Sequence, residues 1–299
     1  MACRSLVKAN DVKEKSTLTN DQKKNLVPYQ LNLGQQNSIH EFVDKIKKDF
    51  PEGIHALINN AGVYNIGCND RMETEDQHEL HFGTNHLGHF TLTLLLLESL
   101  RKGAMYGNCD TRIVMVSSSL YKNAKFDFND LQIKKPGVYT PGLAYANSKM
   151  ANIMFTRNLH ERLKKDRTGQ PGAGRIKIYA NHPGVCYTDL GRHHTKFVAF
   201  IWWLASKIIL RTPEQGIVPS LECLERPTSE LSSGSYYGNG GSSRSANSVV
   251  KNEDESLVEM AKDEEISKKL WEVSEELTGV TLEQDCSVMV SGPTNAMMF

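Results

Sequence analysis

The sequence lacks an excess of either charge: lysine plus arginine and aspartate plus glutamate number 35 each in 299 residues. A nucleic acid or an anionic membrane attracts a basic surplus, so neither partner is indicated. Paired cysteines are lacking too. The six, Cys3, Cys68, Cys109, Cys186, Cys223 and Cys286, are scattered with no C-x-x-C. That argues against a disulfide framework or a zinc site and for a reducing compartment. No signal-peptide pattern and no internal repeat is visible. The most apolar stretch, FVAFIWWLASKIIL (197–210), is too short to span a bilayer and contains Lys207. It reads as a buried or substrate-pocket helix. A helix lying at a membrane surface is the alternative, which the tandem Trp202 and Trp203 permit. The expected location is cytoplasmic, or peripheral on an intracellular membrane, and not secreted.

What is present is an alternation of strand and helix. LVPYQLNL (26–33), IHALINNAG (54–62), RIVMVSSS (112–119) and RIKIYANHPG (175–184) read as strands. Between them, SIHEFVDKIKKDF (38–50) carries Ile39, Phe42, Val43 and Ile46 at helical spacing. DQHELHFGTNHLGHFTLTLLLLESL (76–100) and AYANSKMANIMFTRNLHERLKK (144–165) read as long helices. Further on, TPEQGIVPSLECLE reads as a helix with Thr212 as N-cap and Pro213 at its first position. DEEISKKLWEVSEEL is a clean amphipathic helix, and residues 280–299 read as a disordered tail after one domain, 1–279. Such an alternation predicts an α/β fold, a parallel doubly wound sheet with helices on both faces. Ligands in such sheets sit beyond the C-terminal strand ends. Those ends carry Arg4, Asn32, Asn59 to Gly62, Ser117 to Ser119 and His182 to Thr188.

The strongest constellation is YANSK, Tyr145 to Lys149. Residues four apart on a helix share a face, so a phenol stands beside an ammonium. A nearby cation favours the phenolate and lowers the tyrosine pKa from its usual ~10. The pair can then exchange a proton with an alcohol or ketone. A serine run at one strand end, NNAG at another and HPG at a third are each a common cap or turn. Together, in this order, they converge on one crevice. The histidines His78, His81, His86 and His89 lack a metal-binding arrangement, and no metal is expected.

LINNAG, TNHLGHFTLT, RIVMVSSS, AYANSKMANIMFTR, NHPGVCYTDL and KKLWEVSEELTG together resemble the short-chain dehydrogenase/reductases, most of all their retinol dehydrogenase branch. The resemblance implies a Rossmann-type fold and an NADP-dependent oxidoreductase interconverting an alcohol and a carbonyl, with a lipophilic, retinol- or retinaldehyde-like substrate. Tyr145 would exchange the proton, Lys149 would tune it and hold the nicotinamide ribose, and Ser118 would bond the carbonyl oxygen, with Ser117 and Ser119 as rivals. Asn85 would bend its helix and carry a water toward Lys149. Asn32, Leu33, Asn59, Ala61 and Gly62 would line the adenosine side; Pro183, Gly184 and Thr188 would hold the nicotinamide end. Arg4 would face a 2′-phosphate, which favours NADP over NAD. A homo-oligomer and peripheral membrane contact are left open.

One piece of the family pattern has no counterpart here. A first strand with a T-G-x-x-x-G-I-G turn does not occur, and GNGGSS (238–243) follows a strand without opening a helix. The expectation is an N-terminally truncated sheet and a Met1 internal to a longer parent. A catalytically impaired isoform or an interaction protein of the same fold is then the competing function.

Overall fold

The computed structural model describes residues 1–65, 69–165, 172–184, 211–238 and 250–282. Its strands form two sheets. In the smaller, β1 (Ala2–Cys3) pairs in parallel with β2 (Tyr29–Gln30). Two helices lie between them, α1 (Leu6–Lys15), which buries only Ala9, and α2 (Asn20–Asn25), which buries nothing. The larger sheet runs β3 (Ala56–Asn59), β4 (Thr111–Val116), β5 (Ile176–Asn181), β6 (Tyr236–Gly238) and β7 (Lys251–Asn252). Its first four strands are parallel; β7 is antiparallel. Ile113, Val114, Ile178 and Tyr179 are wholly buried. Strands covered on both faces read as unbroken apolar runs, and these do.

Among the described residues no strand pairing joins the two sheets. They are tied instead through α3 (Gln36–Asp49), whose Ile39, Phe42, Val43 and Ile46 are the buried residues expected from spacing. These pack with Tyr29, Leu31 and Leu33 beside β2, and with Leu92 and Leu96 of α4 (Gly88–Tyr106). The parallel doubly wound order is therefore present in two pieces. Ile58 on β3 stays 46% exposed.

The main core gathers α4, α5 (Pro141–Lys165) and α8 (Glu264–Thr278) on the larger sheet. Trp271 of α8 stacks on Phe155 of α5 and meets Phe90 of α4 edge-on. Truncating so large a buried ring costs about 3–5 kcal/mol. On the other face, α6 (Pro213–Glu225) begins as its sequence predicts: Thr212 Oγ1 accepts the Gln215 N–H, and the Gln215 side chain accepts the Thr212 N–H. A short α7 (Glu259–Lys262) precedes α8. Val280, where the tail was expected to begin, is buried in the main core; 283–299 lie outside the described residues, as does 197–210.

The long helix expected from residue 76 begins only at residue 80, because 76–79 form a turn whose Glu79 is bridged to Glu73, and it has two parts. Phe82–Leu87 is π-helical, and α4 proper follows. A π-segment re-aims side chains by one residue, and here it surrounds Asn85. Register then aligns the strand ends: Asn59 sits opposite Met115, and Val116 opposite Asn181. Segments 60–65, 117–119 and 182–184 thus leave the sheet along one edge.

Candidate active site

Tyr145 and Lys149 lie on α5, both buried, at 8% and 3% exposure. The Lys149 Nζ stands 5.7 Å from the Tyr145 ring centre and donates to the Val116 carbonyl at the end of β4, 2.9 Å away. The helical spacing predicts a phenol acidified by its cation. The structure reverses that direction. Burial pushes Tyr145 up to about 12; the Ser118 hydrogen bond pulls the other way, and Tyr64 adds to the rise. Burial also draws Lys149 down to about 8. Spacing reports which groups are neighbours, whereas the loss of water around both decides their charge.

The three serines divide. Ser117 Oγ donates to the Lys149 carbonyl at 2.7 Å, an anchoring contact inside the protein. Ser118 lies near enough to Tyr145 to favour its charged form and accepts the Leu120 N–H, capping a short 3₁₀ turn that Ser119 opens. Ser118 is the hydroxyl beside the phenol.

Asn85 is wholly buried and makes three bonds. Its Oδ1 accepts the Val63 N–H at 2.7 Å; its Nδ2 donates to the Val63 carbonyl and to Ser148 Oγ, both at 3.0 Å. Ser148 Oγ in turn donates to the Tyr145 carbonyl. One amide thus locks the loop after β3 to the turn of α5 that carries the phenol. The Asn85 backbone carbonyl accepts from His89 Nδ1 at 2.9 Å. His86 bonds Ser274 Oγ through Nε2. Burial lowers His86 to about 3 and His89 to about 4.

The remaining expected residues are more spread. Asn59 is buried; its Nδ2 donates to Thr93 Oγ1 and contacts Met115 Sδ, while its Oδ1 has no partner among the described residues. Ala61 and Gly62 are exposed. A side chain at Gly62 would stand 3.4 Å from both Asn85 Oδ1 and Lys149 Nζ, so the backbone there lies open over the two groups. Asn32 Oδ1 accepts the Gly34 N–H and its Nδ2 donates to Glu75. The acceptor expected to meet an adenine is engaged in a local turn. Leu33 is a core residue, buried against α3 and α4. Arg4 follows β1, exposed, with no hydrogen bond or ion pair among the described residues. At the other end Pro183 and Gly184 follow β5; Gly184 has φ +78°, and a side chain there would meet Arg211 at 2.9 Å. Thr188 lies outside the described residues.

Three neighbours of Tyr145 escape sequence reading. Tyr64 stacks on its ring at 4.2 Å between centres; His81 meets it edge-on at 6.3 Å; Tyr236 of β6 lies near enough to feel its charge. The aromatic at position 64, just after NNAGV, is the one signal the chain offers for the first.

An exposed glycine backbone above Asn85 and Lys149, a buried unpartnered Asn59 oxygen, and a free guanidinium suit a nicotinamide dinucleotide laid along these strand ends. Comparison with known proteins agrees. The short chain dehydrogenase family model matches residues 3–129. Retinol dehydrogenase 11 of Homo sapiens is 36% identical over 284 residues, covering 95% of this chain and 78% of that protein. Retinol dehydrogenase 14 of Homo sapiens is 35% identical over 257 residues, covering 85% and 67%. Among solved structures, an uncharacterised protein from Mycobacterium paratuberculosis superposes with a TM-score of 0.65 at 28% identity, covering 94% of this chain and 84% of that one. The NADPH-bound carbonyl reductase from chicken fatty liver shares the fold, with a TM-score of 0.54 at 21% identity over 81% and 85% of the two chains. The chain belongs to the short-chain dehydrogenases, in their retinol dehydrogenase branch, a family of alcohol–carbonyl oxidoreductases that use nicotinamide dinucleotides.

Proposed function

We propose that this chain reduces a lipophilic aldehyde or ketone, retinaldehyde-like in character, with NADPH. The observation that carries the reading is the buried Tyr145 phenol beside Ser118, with the Lys149 ammonium 5.7 Å from its ring centre on the same face of α5. A bound nicotinamide supplies the hydride. Ser118 orients the substrate oxygen. Tyr145, held protonated near neutral pH, gives that oxygen its proton, which suits reduction better than oxidation. Lys149, lowered to about 8, is the nearby group able to return a proton to the phenol. Asn85 keeps Gly62 and Val63 over this pair, so cofactor and phenol meet in a fixed geometry.

Arg4 supports NADP over NAD. An exposed guanidinium with no partner among the described residues matches a 2′-phosphate in shape and charge. Asn59, Ala61, Gly62, Pro183 and Gly184 are the proposed backbone and amide contacts, Thr188 a further one. Asn32 and Leu33 contribute through backbone, since their side chains are engaged elsewhere. The working unit includes Val280 and Leu282, which pack in the main core just past the expected boundary at 279. The lipophilic preference rests on the similarity to retinol dehydrogenases and on the apolar segment 197–210. Turnover of retinaldehyde and of a medium-chain aldehyde by the purified chain, with NADPH and NADH compared, is the test. Oxidation of the alcohol running faster than reduction at neutral pH would overturn the assigned direction.

A further inference from the structure

The loop after β3 has no regular structure through residues 60–65, yet it places the Tyr64 ring flat on Tyr145, with 18° between planes. Two side chains hold it. Asn85 clamps Val63 on one side of Tyr64, and His81 Nε2 meets the Asn65 N–H at 3.1 Å on the other. A backbone amide can only donate, so Nε2 is the lone-pair nitrogen and the His81 proton resides on Nδ1. That nitrogen stands 2.7 Å from Glu79 Oε1. The other Glu79 oxygen accepts the Phe82 N–H at 2.7 Å. Both Glu79 and His81 are wholly buried.

Burying a carboxylate and an imidazole together gains little stability, because desolvation offsets their attraction. Geometry is what the pair secures: tautomer, ring orientation, and through Asn65 the height of the loop. Tyr145 is then bounded by Tyr64 on one face and His81 at an edge, and by Lys149 of its own helix, with Ser118 just past β4 and Tyr236 of β6 near enough to act on its charge. We propose that Glu79, His81 and Tyr64 are positioning residues for Tyr145: the buried pair sets the loop, and the Tyr64 ring holds the Tyr145 ring in its working orientation.

The proposal deepens the reading of Tyr145 as proton donor and rests on it, so its first test needs no turnover. The full chain is labelled with ¹³C-tyrosine, the Tyr145 signals are assigned by their loss in Tyr145→Phe, and ring-flip rates are read from line shapes. Tyr64→Ala should flip Tyr145 about tenfold faster, and Tyr64→Phe should restore the slow rate. His81→Ala should act as Tyr64→Ala does. In turnover, Tyr64→Ala and His81→Ala should lower kcat about 10–100-fold while leaving the KM for NADPH in place. An unchanged Tyr145 flip rate in folded Tyr64→Ala overturns the proposal. Should His81→Ala not fold, the Tyr64 series decides alone, since that residue is only half-buried. Faster flipping in a chain without turnover supports the positioning set and counts against the enzymatic reading only.

Discussion

The two ends of the proposed cofactor groove are built in different ways. At the catalytic end, Tyr145, Lys149, Asn85 and Ser117 are buried, and hydrogen bonds through them, Val116 and Ser148 join the end of β4, α5 and the π-segment. At the adenosine end, Arg4 and Ala61 are exposed, β1 and β2 have two residues each, and α1 buries a single alanine. One end is part of the core; the other hangs on α3. Substitutions at the first should therefore act on turnover, and at the second only on cofactor binding.

The largest expected effect is at the phenol. Tyr145→Phe keeps the ring and its stack on Tyr64, and should lower kcat by about 10³-fold with the melting temperature preserved. A drop below tenfold in steady-state turnover would move the proton donor elsewhere. Next, Lys149→Met should lower kcat about 10²-fold without lowering the melting temperature at pH 7, because a buried ammonium is costly. The sign can be worked out. The folded pKa of Lys149, about 8, lies below its unfolded value of 10.5. The unfolded chain binds more protons between the two, so the wild type should gain stability as pH rises through that window, and the variant should lose this gain. Urea melts at pH about 8 and 10 measure it.

The buried histidines give a third effect, at the acid side. His86 and His89 have folded values of about 3 and 4, below the usual 6.5. The stability they allow is complete above 6.5 and is lost as pH falls toward those values, by a few kcal/mol in total. A urea midpoint that stays level from pH 7 to 4.5 would show that these rings are less enclosed than the core indicates. The smallest effect belongs to the open end. Arg4→Ala should weaken NADPH about tenfold, leave NADH alone and leave the melting temperature within about a degree. Equal weakening of both cofactors by calorimetry would erase the contrast between the ends.

Much of the frame was legible before the coordinates. The 3.6-residue spacing of Ile39, Phe42, Val43 and Ile46, the Thr212–Pro213 start of α6 and the amphipathic α8 are local signals that tertiary contacts reinforced. The meeting of Tyr145 and Lys149 followed from helix geometry alone. Other features had no local signal. The bend at Asn85 and the choice of Ser118 came from the family resemblance; that the bend is a π-segment tied to a loop 22 residues away, and that Tyr64 stacks where that loop lands, depended on tertiary contacts. The direction of the Tyr145 shift was misjudged because spacing reveals a neighbouring charge and says nothing of water.

The account turns on a phenol kept protonated at neutral pH. Single-turnover reduction of retinaldehyde by NADPH, followed from pH 6 to about 9, tests it most directly. The rate should hold level to about pH 8 and then stay level or decline, as a donor that keeps its proton requires. A reduction rate climbing about tenfold per pH unit across that range would mean the reacting form is the phenolate, and would contradict the account.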